Sequence, residues 1–377
     1  MKNNPLKEVE ALGQSIWLDY IRRDLIASGG LRRLIEEDGL RGMTSNPAIF
    51  EKAIVESHDY DEDIRSLARE GKNPKEIYEA LSQEDVQRAA DEFRPLYERM
   101  DGRDGFVSLE VDPHLAHDTA GTIAEARRLW QAVDRPNVFV KIPATLEGLP
   151  AIRQTISEGI NINVTLLFGL PRYREVAEAY LAGIRARVAQ GEPAQNVNSV
   201  ASFFLSRIDV LVDPLLEKLM AQGEEHTHLA EKTRGQVAIA CAKMAYLIYK
   251  ELFGSTHFQQ LADGGAQAQR LLWASTSTKN PAYSDVKYVE ALIGSNTVNT
   301  LPMETVNAYR DHGVPAAQLE NDMEQAREVL ERLPELGINL DAVSQQLEDE
   351  AVAKFTKPFD QLLETLAGMA TRFRAVS

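Results

Sequence analysis

The sequence predicts an α/β chain folded as a (β/α)8 TIM barrel, and three observations predict it. Short apolar strand patterns alternate with longer helix-like stretches, the alternation counts out to eight strands, and several strands carry polar residues on one parity only. Eight such units favour a closed barrel over an open sheet. No repeat of solenoid or propeller period is visible.

The strands follow in order. SIWLDY (15–20), LRGMTSN (40–46), GFVSLEVD (105–112) and NVFVKIP (137–143) are the first four; GININVTLLF (159–168), NVNSVASFF (196–204), RLLWAST (270–276) and SNTVNTL (295–301) complete the set. Helical patterns lie between them. DTAGTIAEARRLWQAV (118–133) has Asp118 as its expected N-cap, and PRYREVAEAYLAGIRARVAQG (171–191) has Pro171 in its first turn and Gly191 past its end. Gly29-Gly30 and Gly264-Gly265 lack a nucleotide fingerprint and read as turns.

Two stretches break the rhythm of a barrel domain that otherwise spans 1–377. Residues 50–104, between strands two and three, form a helical insertion whose best helices are DYDEDIRSLAREG and SQEDVQRAADEFRPLYERM. Residues 315–377 form a C-terminal helical extension of amphipathic spacing. Both are expected to pack on the barrel as decoration. The sharper alternative is that the tail helix covers the barrel mouth or builds a dimer contact, so monomer and homodimer both stay open.

Composition narrows the partners. Lys plus Arg number 41 against 57 Asp plus Glu, a net charge of −16, which disfavours nucleic acid and anionic membrane surfaces. An anionic small molecule must therefore be held by a local cluster of donors. Cys241 is the one cysteine of the sequence, which leaves no intrachain disulfide and no paired-thiolate zinc site. No signal-peptide pattern opens the chain and no long apolar span interrupts it, so the expectation is cytoplasmic.

Period two sorts the strand residues. Val107, Leu109 and Val111 oppose Phe106, Ser108, Glu110 and Asp112; Val138, Val140 and Ile142 oppose Phe139 and Lys141. Ile160, Ile162, Val164 and Leu166 oppose Asn161, Asn163 and Thr165, and Ile16 and Leu18 oppose Trp17 and Asp19. Aliphatic faces meet the helices, so Asp19, Glu110, Lys141, Asn163 and Thr165 face the lumen. Trp17 and Trp273 are expected to fill the interior or its floor.

Polar groups in a lumen are costly unless paired, and Lys141 with Glu110 could be no more than a buried ion pair. Polar inward residues on several strands favour an active site instead. A lysine in an apolar wall is desolvated, which favours the neutral amine. Such an amine attacks a carbonyl and forms a Schiff base, an electron sink for C–C cleavage that uses no metal and no organic cofactor. Asp19 and Glu110 are candidates for moving its protons. His114 and His117 form an HxxH without further ligands and read as capping or helix-surface residues.

These residues are ordered as in a known family. TSNP with Asn46, VSLEVD with Glu110, FVKIPAT–EG with Lys141, and GININVTLLF with Asn163 and Thr165 make the chain resemble the transaldolases, in their longer bacterial form, from about Ser15 to Thr305. The resemblance implies transfer of a dihydroxyacetone unit from sedoheptulose 7-phosphate to glyceraldehyde 3-phosphate, giving erythrose 4-phosphate and fructose 6-phosphate. It implies Lys141 as the Schiff-base nucleophile, Asp19 as general acid/base, and Glu110 with Thr165 as the pair that orders a water. Asn46, Asn163 and Ser202 would hold substrate hydroxyls, and Phe204 would line the pocket. Shorter members carry an Ala-Ser-Phe-Arg run after strand seven, where this chain has WASTSTKNP. The phosphate is therefore assigned to Arg207, Ser275 and Lys279, with Ser277 as the alternative to Lys279. A fructose 6-phosphate aldolase and a non-catalytic sugar-phosphate-binding barrel are the competing readings.

Overall fold

A computed structural model describes residues 4–223 and 226–375 of the chain. Eight strands form one closed parallel barrel: β1 (Gln14–Asp19), β2 (Gly42–Thr44), β3 (Phe106–Glu110), β4 (Val138–Pro143), β5 (Ile162–Leu167), β6 (Ser199–Phe204), β7 (Arg270–Ala274) and β8 (Thr297–Leu301). They pair in sequence order, and β8 closes on β1 with Gln14 beside Thr297 and Leu18 beside Leu301. Nearly every strand residue is buried, because helices cover the outer face and side chains fill the inner one.

Each expected strand is present, most of them shortened at the ends. The second shrinks from 40–46 to β2 because Asn46 turns the chain into the helix Pro47–Val55, accepting a 3.0 Å bond from Ile49 N. The third ends at Glu110, so Asp112, grouped with Glu110 by parity in the sequence, lies beyond the strand. That carboxylate has left the sheet, caps the 3-10 turn Pro113–Leu115 and pairs with Lys75 Nζ at 2.6 Å. In β5 the alternation stops at Thr165. Leu166 adopts φ 56° where the register with β6 shifts between Val164 and Leu167, so a bulge takes it out of the apolar row. Asp118 caps Thr119–Val133, Pro171 opens Leu170–Ala189, and Gly29, Gly191 and Gly265 all take positive φ.

The barrel floor is aromatic. Trp17, Phe106 and Phe139 pack together with centroids 4.3 to 6.4 Å apart, Phe139 stacked on both the others. Gly42 leaves the Trp17 ring its space, since a Cβ there would lie 2.6 Å from it. Below, Asp104 accepts from Ser15 Oγ, Trp17 Nε1 and Arg270 Nη2. Trp273 is not part of this floor. Its parity is opposite to that of Arg270 and Ala274, and its indole donates to Leu292 O at 3.1 Å in the helical layer.

Between β2 and β3 run the helices Pro47–Val55, Asp61–Arg69 and Pro74–Arg99, the last opened by a capping box of Asn73 and Glu76. After β8 come Met303–His312, Met323–Glu335 and the long helix Leu340–Ala375. The two groups brace each other: Phe359 meets Tyr78 at 5.4 Å, Tyr78 meets Phe50 at 5.9 Å, and Arg374 Nε donates to Ala68 O. Among the described residues, no helix is long and apolar enough to cross a membrane.

Candidate active site

At the C-terminal ends of the strands lies a cavity of about 190 Å³. Its walls include Asp19, Asn46, Lys141, Thr165, Ser202, Phe204, Arg207, Ser275, Ser277 and Lys279. Glu110 and Asn163 stand just behind the wall as the strand neighbours of Lys141 on either side. Every site residue singled out from the sequence therefore falls in one place.

The centre is Lys141, only 5% exposed. Its Nζ donates to Ser45 O at 3.1 Å and stands 3.4 Å from Glu110 Oε2, an ion-pair distance outside good hydrogen-bond geometry. Glu110 Oε2 and Thr165 Oγ1 are both buried without a hydrogen-bond partner. Buried polar atoms are seldom left so, and a catalytic role is one physical reason for such an exception. Burial pushes the Glu110 carboxyl up to about 7, against the pull of Lys141. Burial also raises Asp19, opposed by its hydrogen bond from Thr44 and by the Lys141 charge. Both carboxyls are thereby moved toward the range in which they can exchange protons near neutral pH.

Asn163 connects two strands: its Nδ2 donates to Ser108 Oγ at 3.1 Å, and its Oδ1 accepts from Ser202 Oγ at 2.6 Å. Ser202 reaches the cavity and Asn163 backs it. Asn46 accepts the helix-cap bond with its oxygen, and its amide nitrogen can donate to a ligand.

The other end of the cavity is cationic. Arg207, in the first turn of the helix Ser206–Gln222, lies 5.4 Å over the Phe204 ring, and its Nη1 is buried with no partner. Burial lowers its affinity for a proton. Lys279 Nζ donates to Ser277 Oγ at 2.6 Å, so the two alternatives named from the sequence sit together on the cavity wall. Ser275 takes φ 55° and is held there by Ser206, whose N donates to Ser275 O and whose Oγ lies 2.9 Å from Ser275 Oγ. Tyr283 donates to Asp213 and Tyr288 to Asp209, tying this loop to the helix that carries Arg207.

Six lining residues escaped the sequence reading: Thr44, Ala274, Thr300, Pro302, Glu304 and Phe355. Thr44 shares the inward parity of Gly42 and could have been found by extending the alternation to β2. Phe355 comes from the long C-terminal helix, whose apolar spacing does not say what it covers. His114 and His117 do not converge, for one meets Asp360 and the other Glu147. Among the described residues no group of three or more potential metal ligands gathers.

Fold and cavity together define a (β/α)8 barrel with an amine–carboxylate centre at the C-terminal ends of its strands, where such barrels carry their chemistry. A model of the Transaldolase/Fructose-6-phosphate aldolase family matches residues 16–366, and the chain belongs to that family. It is 50% identical over 370 residues to a protein of Trichodesmium erythraeum named Transaldolase, covering 97% of each chain. It is 48% identical over 373 residues to Transaldolase 2 of a Nostoc species, covering 98% of each. A Transaldolase of Saccharopolyspora erythraea is 47% identical over 365 residues, again with 97% of each chain covered.

Proposed function

We propose that this chain is a cytoplasmic transaldolase that moves a dihydroxyacetone unit from sedoheptulose 7-phosphate to glyceraldehyde 3-phosphate, leaving erythrose 4-phosphate and fructose 6-phosphate. The observation that carries this reading is Lys141, a buried amine on the cavity wall with Glu110 at 3.4 Å.

Lys141 attacks the ketose carbonyl to give a carbinolamine. Glu110 and Thr165, whose polar atoms lack hydrogen-bond partners at this end of the cavity, order a water that relays a proton from Glu110 to the carbinolamine hydroxyl, which leaves as water to give the Schiff base. Asp19 then takes the proton of the C4 hydroxyl, the C3–C4 bond breaks, and its electrons pass to the iminium. The resulting enamine stays on Lys141, with its hydroxyls held by Asn46 and by Ser202 backed by Asn163. The acceptor aldehyde takes the electron pair, Asp19 returns the proton, and water releases the product. Arg207, Ser275 and Lys279 hold the phosphate at the far end, which fixes the sugar's direction in the cavity.

Fructose 6-phosphate supplied with and without erythrose 4-phosphate tests the assignment. A transferase makes sedoheptulose 7-phosphate only when the acceptor is present. Steady release of dihydroxyacetone at an undiminished rate without acceptor would instead make the chain a lyase.

A further inference from the structure

The long helix Leu340–Ala375 crosses the barrel mouth, and one side chain from it enters the catalytic cavity. Phe355 is 6% exposed, and its ring centroid lies 5.9 Å from Lys141 Nζ. One helical turn on, Phe359 is locked edge-on against Tyr78, which is itself locked against Phe50 of the insertion. One turn before, Ala351 is fully buried. Glu350 on the same helix is near enough to Arg207 for each to feel the other's charge. The helix is therefore seated over both ends of the cavity, and Phe355 is placed as a fixed apolar cover above the amine.

We propose that Phe355 determines whether the three-carbon unit is transferred or released, by keeping bulk water from the enamine on Lys141. This rests on the Schiff-base reading above and extends it to the fate of the intermediate. The enamine carbon that was C3 can give its electron pair to an aldehyde carbon, forming a C–C bond, or to a proton delivered from water. In the second case the resulting imine is hydrolysed, dihydroxyacetone leaves, and the Lys141 amine is regenerated. An aromatic ring over the site bars solvent protons while leaving room on the Asp19 side for an aldehyde.

The test compares Phe355→Ala and Phe355→Leu with the unaltered enzyme, using fructose 6-phosphate with and without erythrose 4-phosphate. In the Ala variant, release of dihydroxyacetone relative to transfer should rise roughly tenfold or more, while the Leu variant stays within about twofold of the unaltered ratio. Dihydroxyacetone formed in heavy water should carry one solvent deuteron at the former C3. Borohydride should still trap the adduct on Lys141 in both variants. A folded Ala variant with an unchanged ratio would overturn the proposal. If that variant does not fold, Phe355→Val decides by the same ratio. Absence of a trapped adduct in the unaltered enzyme would instead sink the Schiff-base reading itself.

Discussion

The Thr44 hydroxyl donates a 2.6 Å hydrogen bond to Asp19 Oδ1 and lies 2.8 Å from the hydroxyl of Thr300. Having given its proton to Asp19, Thr44 must accept from Thr300, so three strands fix one carboxylate. Asp19→Asn should lower turnover by about 10²–10⁴-fold, yet borohydride should still trap the adduct, because amine attack precedes the step that needs Asp19. Thr44→Val removes a bond that favours the carboxylate form, so the acid limb of kcat/KM should move to higher pH. An Asn variant that turns over normally would remove Asp19 from the chemistry.

Glu110 gives a pH dependence with a definite sign. Its folded pKa of about 7 stands above the ordinary 4.5, so between those values the folded protein binds the proton and the unfolded chain does not. The contribution to stability is complete below 4.5 and is lost as pH rises through about 7. Glu110→Gln should thus gain stability relative to the unaltered protein on going from pH ~4 to pH ~8, by up to about 3 kcal/mol in urea titrations. The same variant should lose a kcat/KM inflection near neutrality. Equal stability differences at both pH values would mean that the buried carboxyl is not perturbed.

Lys279 and Ser277 can be separated by their effect on phosphorylated substrates. Lys279→Ala should raise KM for them by about 10- to 100-fold, the worth of a charged hydrogen bond, with dihydroxyacetone itself little affected as a donor. Ser277→Ala should do less, since Ser277 accepts from Lys279 and orients it. The reverse order of effects would transfer the phosphate to Ser277. Tyr283→Phe should act in the same direction as Lys279→Ala but more weakly, by loosening the loop from Asp213.

At the floor, Gly42→Ala should destabilise the fold by about 1–3 kcal/mol through overpacking against Trp17. Denaturant midpoints report the loss and the Trp17 emission its origin. An unchanged midpoint would show that the floor yields without cost.

What was legible in the sequence follows from period two. Asp19, Glu110, Lys141, Asn163 and Thr165 stand out because a lumen normally selects apolar side chains, so each polar residue at inward parity is costly and therefore informative. The pattern fails where the backbone leaves the strand. Asp112 lies beyond the end of β3, and Leu166 sits in a bulge, so neither follows the alternation. Trp273 was misplaced by its size, when its parity with Leu271 already pointed it outward. Phe355 had no readable signal, because its partner Lys141 is remote in sequence and only the tertiary packing of Phe359 on Tyr78 brings the helix across the mouth.

Borohydride reduction in the presence of fructose 6-phosphate, followed by peptide mass mapping, tests the role of Lys141 most directly. The expected result is one three-carbon adduct on the peptide that contains Lys141, absent from a folded Lys141→Ala variant. An adduct on another lysine, or none on the intact folded protein, would contradict it.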